Sequence, residues 1–322
     1  MIVRLGFVAM SKQVPNASPS KTMTEKMLKR IGPKWAAKKV LRLARENLKN
    51  TKRILYHAIA HDIQFYRFSS RLIPLASHPT FEKVDFVKPL EPELKEIGQL
   101  VQEHNLRVGF HPEHFTVLNS PRPDVRRASV QDLVRHVRIL QAMGLGPAYK
   151  CNIHVGGVYG DKGSATERFI RTFQELDPQV QAHICLENDD TTFTARETLD
   201  IAQTVGVPCV LDLHHHRMNH NGESLDRLWP EIVQTWRGET FPPKIHLSSP
   251  YSKDKPKHHA EHVRREDYLP FLRMAAIHSD ALDVMIEAKG KDTTLLQLME
   301  EIPSEPGIKP LDQASVEVFP KD

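Results

Sequence analysis

The sequence of 322 residues holds only 3 cysteines, Cys151, Cys185 and Cys209, with no CxxC pair. That excludes a disulfide framework and a thiolate zinc site. Each lies in an apolar run, so all three are expected to be reduced core residues in a reducing cytosol. No apolar run reaches the roughly 20 residues of a membrane span. The start, MIVRLGFVAM, lacks the basic region, long apolar stretch and cleavage site of a secretory signal. There is no internal repeat and no low-complexity tract. A cytoplasmic protein without a membrane partner is therefore expected. The net charge is only +4, which permits nucleic-acid binding without establishing it.

What the chain has in excess is histidine, 18 in all. Such a surplus points to metal or proton chemistry. Eight short, largely apolar runs read as buried parallel strands: Ile2–Val8, Gln64–Phe68, Leu106–Phe110, Cys151–Val155, His183–Glu187, Pro208–Leu213, Lys244–Leu247 and Asp283–Glu287. A stretch of helical periodicity follows each one: Ala37–Ala60, Glu91–His104, Val125–Met143, Ser164–Leu176, Thr194–Val205, Ser224–Trp236, Arg265–His278 and Thr293–Glu301. Thr194 with Glu197 matches a capping box. Eight strand-then-helix units predict an α/β fold, a single-domain (β/α)8 TIM barrel spanning residues 1–302. The surplus over a typical barrel falls in the strand-to-helix loops Ala9–Trp35, Ser69–Leu90 and Ser248–Arg264, on the face where barrel active sites lie. The tail Pro303–Asp322 reads as a loosely packed, Pro-containing C-terminal extension.

The strand ends carry the chemistry. His111 follows strand three, His154 lies in strand four and Glu187 ends strand five. Asp212 lies in strand six with His215 close behind, His246 in strand seven, and Glu287 ends strand eight. One histidine at a strand end is ordinarily a hydrogen-bonded core residue, and one acid a cap. Six strands presenting His, Asp or Glu at one mouth are not explained that way, because clustered buried carboxylates are strongly unfavourable without cations. A polynuclear site for divalent Zn, Mn, Fe or Co is expected, with Glu187 and Asp212 as natural bridges. Ions about 3.5–4 Å apart can activate water and stabilise the attacking and leaving oxygens of a phosphodiester, so no Ser or Cys nucleophile is required. Lys253, Lys255, Lys257, Arg264 and Arg265 lie in the loop after strand seven, and Arg122, Arg126 and Arg127 follow strand three. Both clusters suit phosphates, which position a duplex without reading its sequence. Phe7, Phe115 and Tyr159 are aromatic candidates near the mouth. Lys244 lies two residues before His246, on the same side of its strand.

Read together, RLGFV, YRFSSRLIPLASHP, FHPEHFTVLNSP, NIHVGGVYGDKG, LENDD, LDLHHH, PKIHLSSP and MIEAKGKD resemble the UV-damage endonuclease family over nearly the whole chain. The resemblance implies a barrel enzyme that nicks damaged double-stranded DNA on the 5′ side of cyclobutane pyrimidine dimers and 6-4 photoproducts, and often of abasic sites, leaving 3′-hydroxyl and 5′-phosphate ends. It implies two to three divalent ions, Mn first, with Zn, Co or Mg as alternatives. His111, His154 and Glu187 would surround one ion. Glu187, Asp212, His246 and Glu287 would surround a second, and His215 and His259 would hold a third with Asp212 or another donor. Glu187, Lys244, His246 and Glu287 are the catalytic candidates, and Lys244 can be carboxylated in the family. Phe7, His78, His114 and Phe115 are the substrate-binding candidates. The last two stand where the family commonly has Gln followed by an aromatic, and would probe the damaged strand from inside the duplex. A monomer is expected. An abasic-site endonuclease without photoproduct activity, a sugar isomerase and a non-catalytic damage sensor are the competing readings. The last two are disfavoured by the basic loops and by the intact ligand set, respectively.

Overall fold

The computed structural model describes residues 1–320. Eight parallel strands form the barrel: β1 (Ile2–Val8), β2 (Phe65–Arg67), β3 (Arg107–Gly109), β4 (Cys151–His154), β5 (Ile184–Glu187), β6 (Cys209–Asp212), β7 (Lys244–Leu247) and β8 (Ala281–Ile286). Their order is β3-β2-β1-β8-β7-β6-β5-β4, and the ring closes between β3 and β4 through a single parallel bridge, Phe110 to Cys151. The predicted barrel is thus observed, nearly closed. All three cysteines are buried and unpaired.

Around it run α1 (Glu25–Ala60), α2 (Glu91–Glu103), α3 (Pro123–Ala142), α4 (Lys162–Gln174), α5 (Pro178–Gln181), α6 (Ala195–Val205), α7 (Leu213–Met218), α8 (Leu225–Gln234), α9 (Leu269–Ala275) and α10 (Asp292–Glu301). The Thr194–Glu197 capping box at the start of α6 forms in both directions. Among the described residues no helix is long and apolar enough to cross a membrane.

Three sequence-based expectations need correcting. The loop predicted over Ala9–Trp35 is helical from Glu25 onward. Thr24 caps that turn, and the chain kinks at Gly32 (φ 75°), immediately before Pro33. Helical periodicity is lost across the kink, which hid the first segment. The helix predicted over Arg265–His278 shortens to α9, because Pro270 cannot continue a helix N-terminally. The tail, expected to be loosely packed, forms β9 (Ile308–Pro310) and β10 (Ser315–Val318), a hairpin whose second strand pairs antiparallel with Ile2–Arg4 of β1. β2 pairs only with Gly6–Val8, so β1 would otherwise keep an unpaired edge beside the start of β2. Val316 and Val318 are fully buried there. The last two residues of the predicted extension lie outside the described residues.

Below the mouth, Asp283 of β8 is fully buried. It accepts from Arg4 Nε at 2.7 Å and from Arg107 Nη1 at 2.6 Å. Arg107 is packed among the rings of Phe65, Trp236 and Phe241, 5.0–5.2 Å from their centroids. A buried charge needs such a partner, and this pair ties β1 and β3 to β8.

Candidate metal centre

Strand alternation turns the residues at the strand C-termini toward one another across the barrel. Two groups of donors result: His111, His154 and Glu187; and Glu187, Asp212, His246 and Glu287. Within each group the donor atoms lie within 4.8 Å of one another. Glu187 belongs to both. Its Oε2 is 3.2 Å from His111 Nε2, and its Oε1 is 2.9 Å from His246 Nδ1. His246 Nδ1 is also 3.0 Å from Glu287 Oε1.

The surrounding hydrogen bonds orient the imidazoles for ligation. His111 Nδ1 bonds the Pro112 carbonyl at 3.0 Å, His154 Nδ1 the Glu187 carbonyl at 3.1 Å, and His215 Nδ1 the Asn188 carbonyl at 2.9 Å. A carbonyl only accepts, so each Nδ1 carries a proton, and in the neutral ring Nε2 is the nitrogen left with a lone pair for an ion. Asp212 Oδ1 accepts from the His215 amide at 2.8 Å, while Oδ2 is buried without a partner. A buried carboxylate oxygen with no donor is costly unless a cation faces it. The donor set and this orphaned oxygen both fit divalent ions.

Electrostatics follow from the crowding. Burial would raise the Glu187 carboxyl, but His246, His111 and His154 hold it well below the ordinary carboxylate range. Glu287 is likewise held low against burial by Arg67 and His246. Burial pushes the His154 imidazole down. His215 moves the other way, up to about 9, because Asp212 and Glu187 outweigh its burial. Lys244 is buried, and desolvation beside Arg107 pushes it down to about 8. It donates to Asn152 Oδ1, whose Nδ2 in turn lies 3.0 Å from Glu187 Oε2 and 3.1 Å from His246 Nε2. Lys244 therefore reaches the donor groups through Asn152.

Three partners escaped the sequence reading: Asn152, Asn188 and Arg67, which bonds Glu287. Asn152 could have been found, because it lies two residues before His154 on the same strand. Asn188 and Arg67 carry no comparable signal.

The structure does not gather a third group. Among the described residues no set of three donors includes His215 or His259. The Pro250–His259 bridge fixes the backbone at His259, and its ring lies 5.4 Å from that of His214. Phe7, expected to touch substrate, is fully buried, edge-on to Tyr66 at 5.3 Å, and so is a core residue here. His78 caps the turn at Pro79, accepting from the Thr80 amide at 3.2 Å. His114 and Phe115 are exposed and adjacent, with ring centroids 6.0 Å apart. A cavity of about 440 Å³ adjoins His114 and is also lined by His154, Tyr159 and His215. Another, about 510 Å³ and more apolar, adjoins Phe115 and includes His78, Arg71 and Ile73. The pair thus forms a ridge between two hollows.

The pattern of the UV-endonuclease UvdE family matches residues 3–319. The chain belongs to the UV-endonuclease UvdE family. The UV DNA damage endonucleases of Bacillus cereus and Bacillus mycoides are each 40% identical to it over 317 residues, 98% of this chain and 100% of theirs. The UvdE fold agrees with the crystal structure of SacUVDE at a TM-score of 0.82 and 31% identity, covering 94% of this chain and 100% of that one. Endonuclease IV from Thermus thermophilus shares the fold alone, at a TM-score of 0.57 and 12% identity over 94% of this chain and 100% of that one. Membership of the UvdE family makes the chain a nuclease, and each donor group at its barrel mouth has the residue types and spacing to hold a metal ion.

Proposed function

We propose that this enzyme nicks duplex DNA immediately 5′ of cyclobutane pyrimidine dimers and 6-4 photoproducts, and at abasic sites, leaving 3′-hydroxyl and 5′-phosphate ends. The observation that carries the reading is the position of Glu187, shared by two donor groups at a barrel mouth beside the exposed His114–Phe115 ridge. Relatives named for UV-damaged DNA, matching over their full length, support the substrate.

Two divalent ions are assigned to the two groups, with Mn the first choice, and a third at His215 and His259 only if those side chains move together. When bound, they supply the polarisation of the phosphodiester and the acidification of water that hydrolysis needs. The chain's own residues do the rest. Asn152 holds the orientation of Glu187 and His246, and Lys244 fixes the Asn152 amide from below. Arg67 holds Glu287. His114 and Phe115 are assigned as a wedge that enters the duplex at the lesion. A photoproduct or abasic site stacks poorly, so unstacking it costs less than extruding normal bases. Selection is then by deformability rather than by base edges. The Arg122, Arg126 and Arg127 cluster, and Lys253 and Lys255 in the loop after β7, are assigned to phosphates. One site per chain serves one strand, consistent with a monomer. The buried reduced cysteines suit a cytoplasmic setting.

Supercoiled plasmid, irradiated or not, tests the reading. The enzyme loaded with Mn should relax only the irradiated plasmid, and EDTA should abolish the reaction. Equal relaxation of both plasmids, or none of either, would count against it.

A further inference from the structure

We propose that Lys291 is a phosphate-binding residue, gripping the DNA backbone beside Glu287; this rests on the endonuclease reading above. The first observation is its backbone. Lys291 has φ 54° and ψ −126°, a conformation in which a Cβ is strained and glycine is at ease. Such strain persists only where the surroundings over-determine it, and it collects at functional sites.

Both neighbours are pinned. The Gly290 amide donates to the Glu261 carbonyl at 3.0 Å, and Thr294 Oγ1 donates to the same oxygen at 2.7 Å. A Cβ on Gly290 would stand 2.2 Å from Thr294 Oγ1 and 2.8 Å from Glu261 O, so only glycine permits that approach. On the other side Asp292 is fully buried. It accepts from the Lys12 amide at 2.7 Å and from Ser11 Oγ, and lies 3.1 Å from His57 Nε2. Between these anchors glycine would be the unstrained choice, yet the chain has a long cation.

The second observation is where that cation lies. Lys291 lines a cavity of about 490 Å³ with Arg67, Lys257, His259, Glu287 and Lys289. The other cations there are engaged. Arg67 bonds Glu287, Lys257 bonds Asp190 and Thr191, and Lys289 sits 4.5 Å over the Tyr251 ring. Among the described residues, the Lys291 ammonium is the one cation of these four with neither a hydrogen-bonding or ion-pairing side chain nor a ring beneath it. It is half-buried, with Arg67 and Lys12 nearby. An unpartnered ammonium beside a carboxylate of the ion centre, in a cationic hollow, fits a phosphate oxygen.

The test compares wild type with Lys291→Gly, Lys291→Met and Lys291→Arg. Thermal denaturation, metal content, and affinity for irradiated duplex in EDTA across a salt series are read alongside nicking. Lys291→Gly should melt at or above the wild-type temperature. Both Lys291→Gly and Lys291→Met should keep their metal but bind DNA about tenfold more weakly, with the slope of log affinity against log salt reduced by about 1. Lys291→Arg should restore most of the binding. Wild-type affinity and salt slope in Lys291→Gly and Lys291→Met would overturn the proposal while wild-type nicking leaves the endonuclease reading intact. A wild-type enzyme that neither binds nor nicks irradiated DNA would overturn both.

Discussion

Glu187→Gln isolates the feature on which the chemistry depends. The side chain keeps its shape and loses its charge. The carboxylate it replaces touches His111 Nε2 at 3.2 Å, His246 Nδ1 at 2.9 Å and Asn152 Nδ2 at 3.0 Å, and belongs to both donor groups. A neutral amide offers one oxygen and no charge, so it cannot serve two cations. Stabilisation of transition-state charge by ions is worth several kcal/mol. A loss of ~4 kcal/mol corresponds to about 10³ in rate. The fold should be little affected, because the amide keeps the side chain's shape and the histidines facing it can be neutral, so no buried charge is stranded. The assay is nicking of irradiated plasmid with Mn, beside metal content after reconstitution and dialysis. Activity should fall at least about 10³-fold and at least one ion should be lost. A variant that keeps two ions and nicks within tenfold of wild type would refute the shared-ligand reasoning.

Asn152→Leu should leave the fold intact but weaken ion binding about 10–100-fold, since it removes the hydrogen bonds that orient Glu187 and His246; titration calorimetry with Mn measures this. Asp283→Ala should cost about 3–5 kcal/mol in urea unfolding by stranding the Arg107 guanidinium, whereas Asp124→Ala, at an exposed pair with Arg122, should shift the midpoint very little. His215 sets a pH dependence in EDTA. Its pKa is raised to about 9, so its stabilisation is full below the unfolded value of about 6.5 and disappears as pH rises through 9. Between those values melting temperature should decline, by at most ~3 kcal/mol of stability, and His215→Gln should flatten the slope. A slope unchanged in that variant would remove His215 as its cause.

How much of this was legible depends on the kind of signal. Strands β1 and β7 match their predicted limits residue for residue, because buried parallel strands are short apolar runs bounded by turns. The donors of both groups were legible because a barrel repeats one geometry, so equivalent strand ends share one mouth. The loops broke that logic. His259 comes from a long loop whose backbone bridge directs its ring toward His214, which strand register does not encode. Phe7 was misplaced because residues on the inner face of a barrel strand divide between the mouth and the packed core beneath it. In β1 Phe7 falls in the core, against Tyr66. Asn152 was overlooked because a polar residue in an apolar strand is read as a defect until its partners are visible. Four prolines concealed the tail hairpin, although Pro310 sits in β9, an edge strand that tolerates it.

The most direct test of the account uses end-labelled duplexes that carry one cyclobutane dimer, one abasic site or no lesion, incubated with Mn or with EDTA. The account predicts a Mn-dependent cut immediately 5′ of the dimer, with a 3′-hydroxyl end, and none in the undamaged duplex. Cutting of the abasic duplex alone, or cutting at the dimer that persists in EDTA, would contradict it.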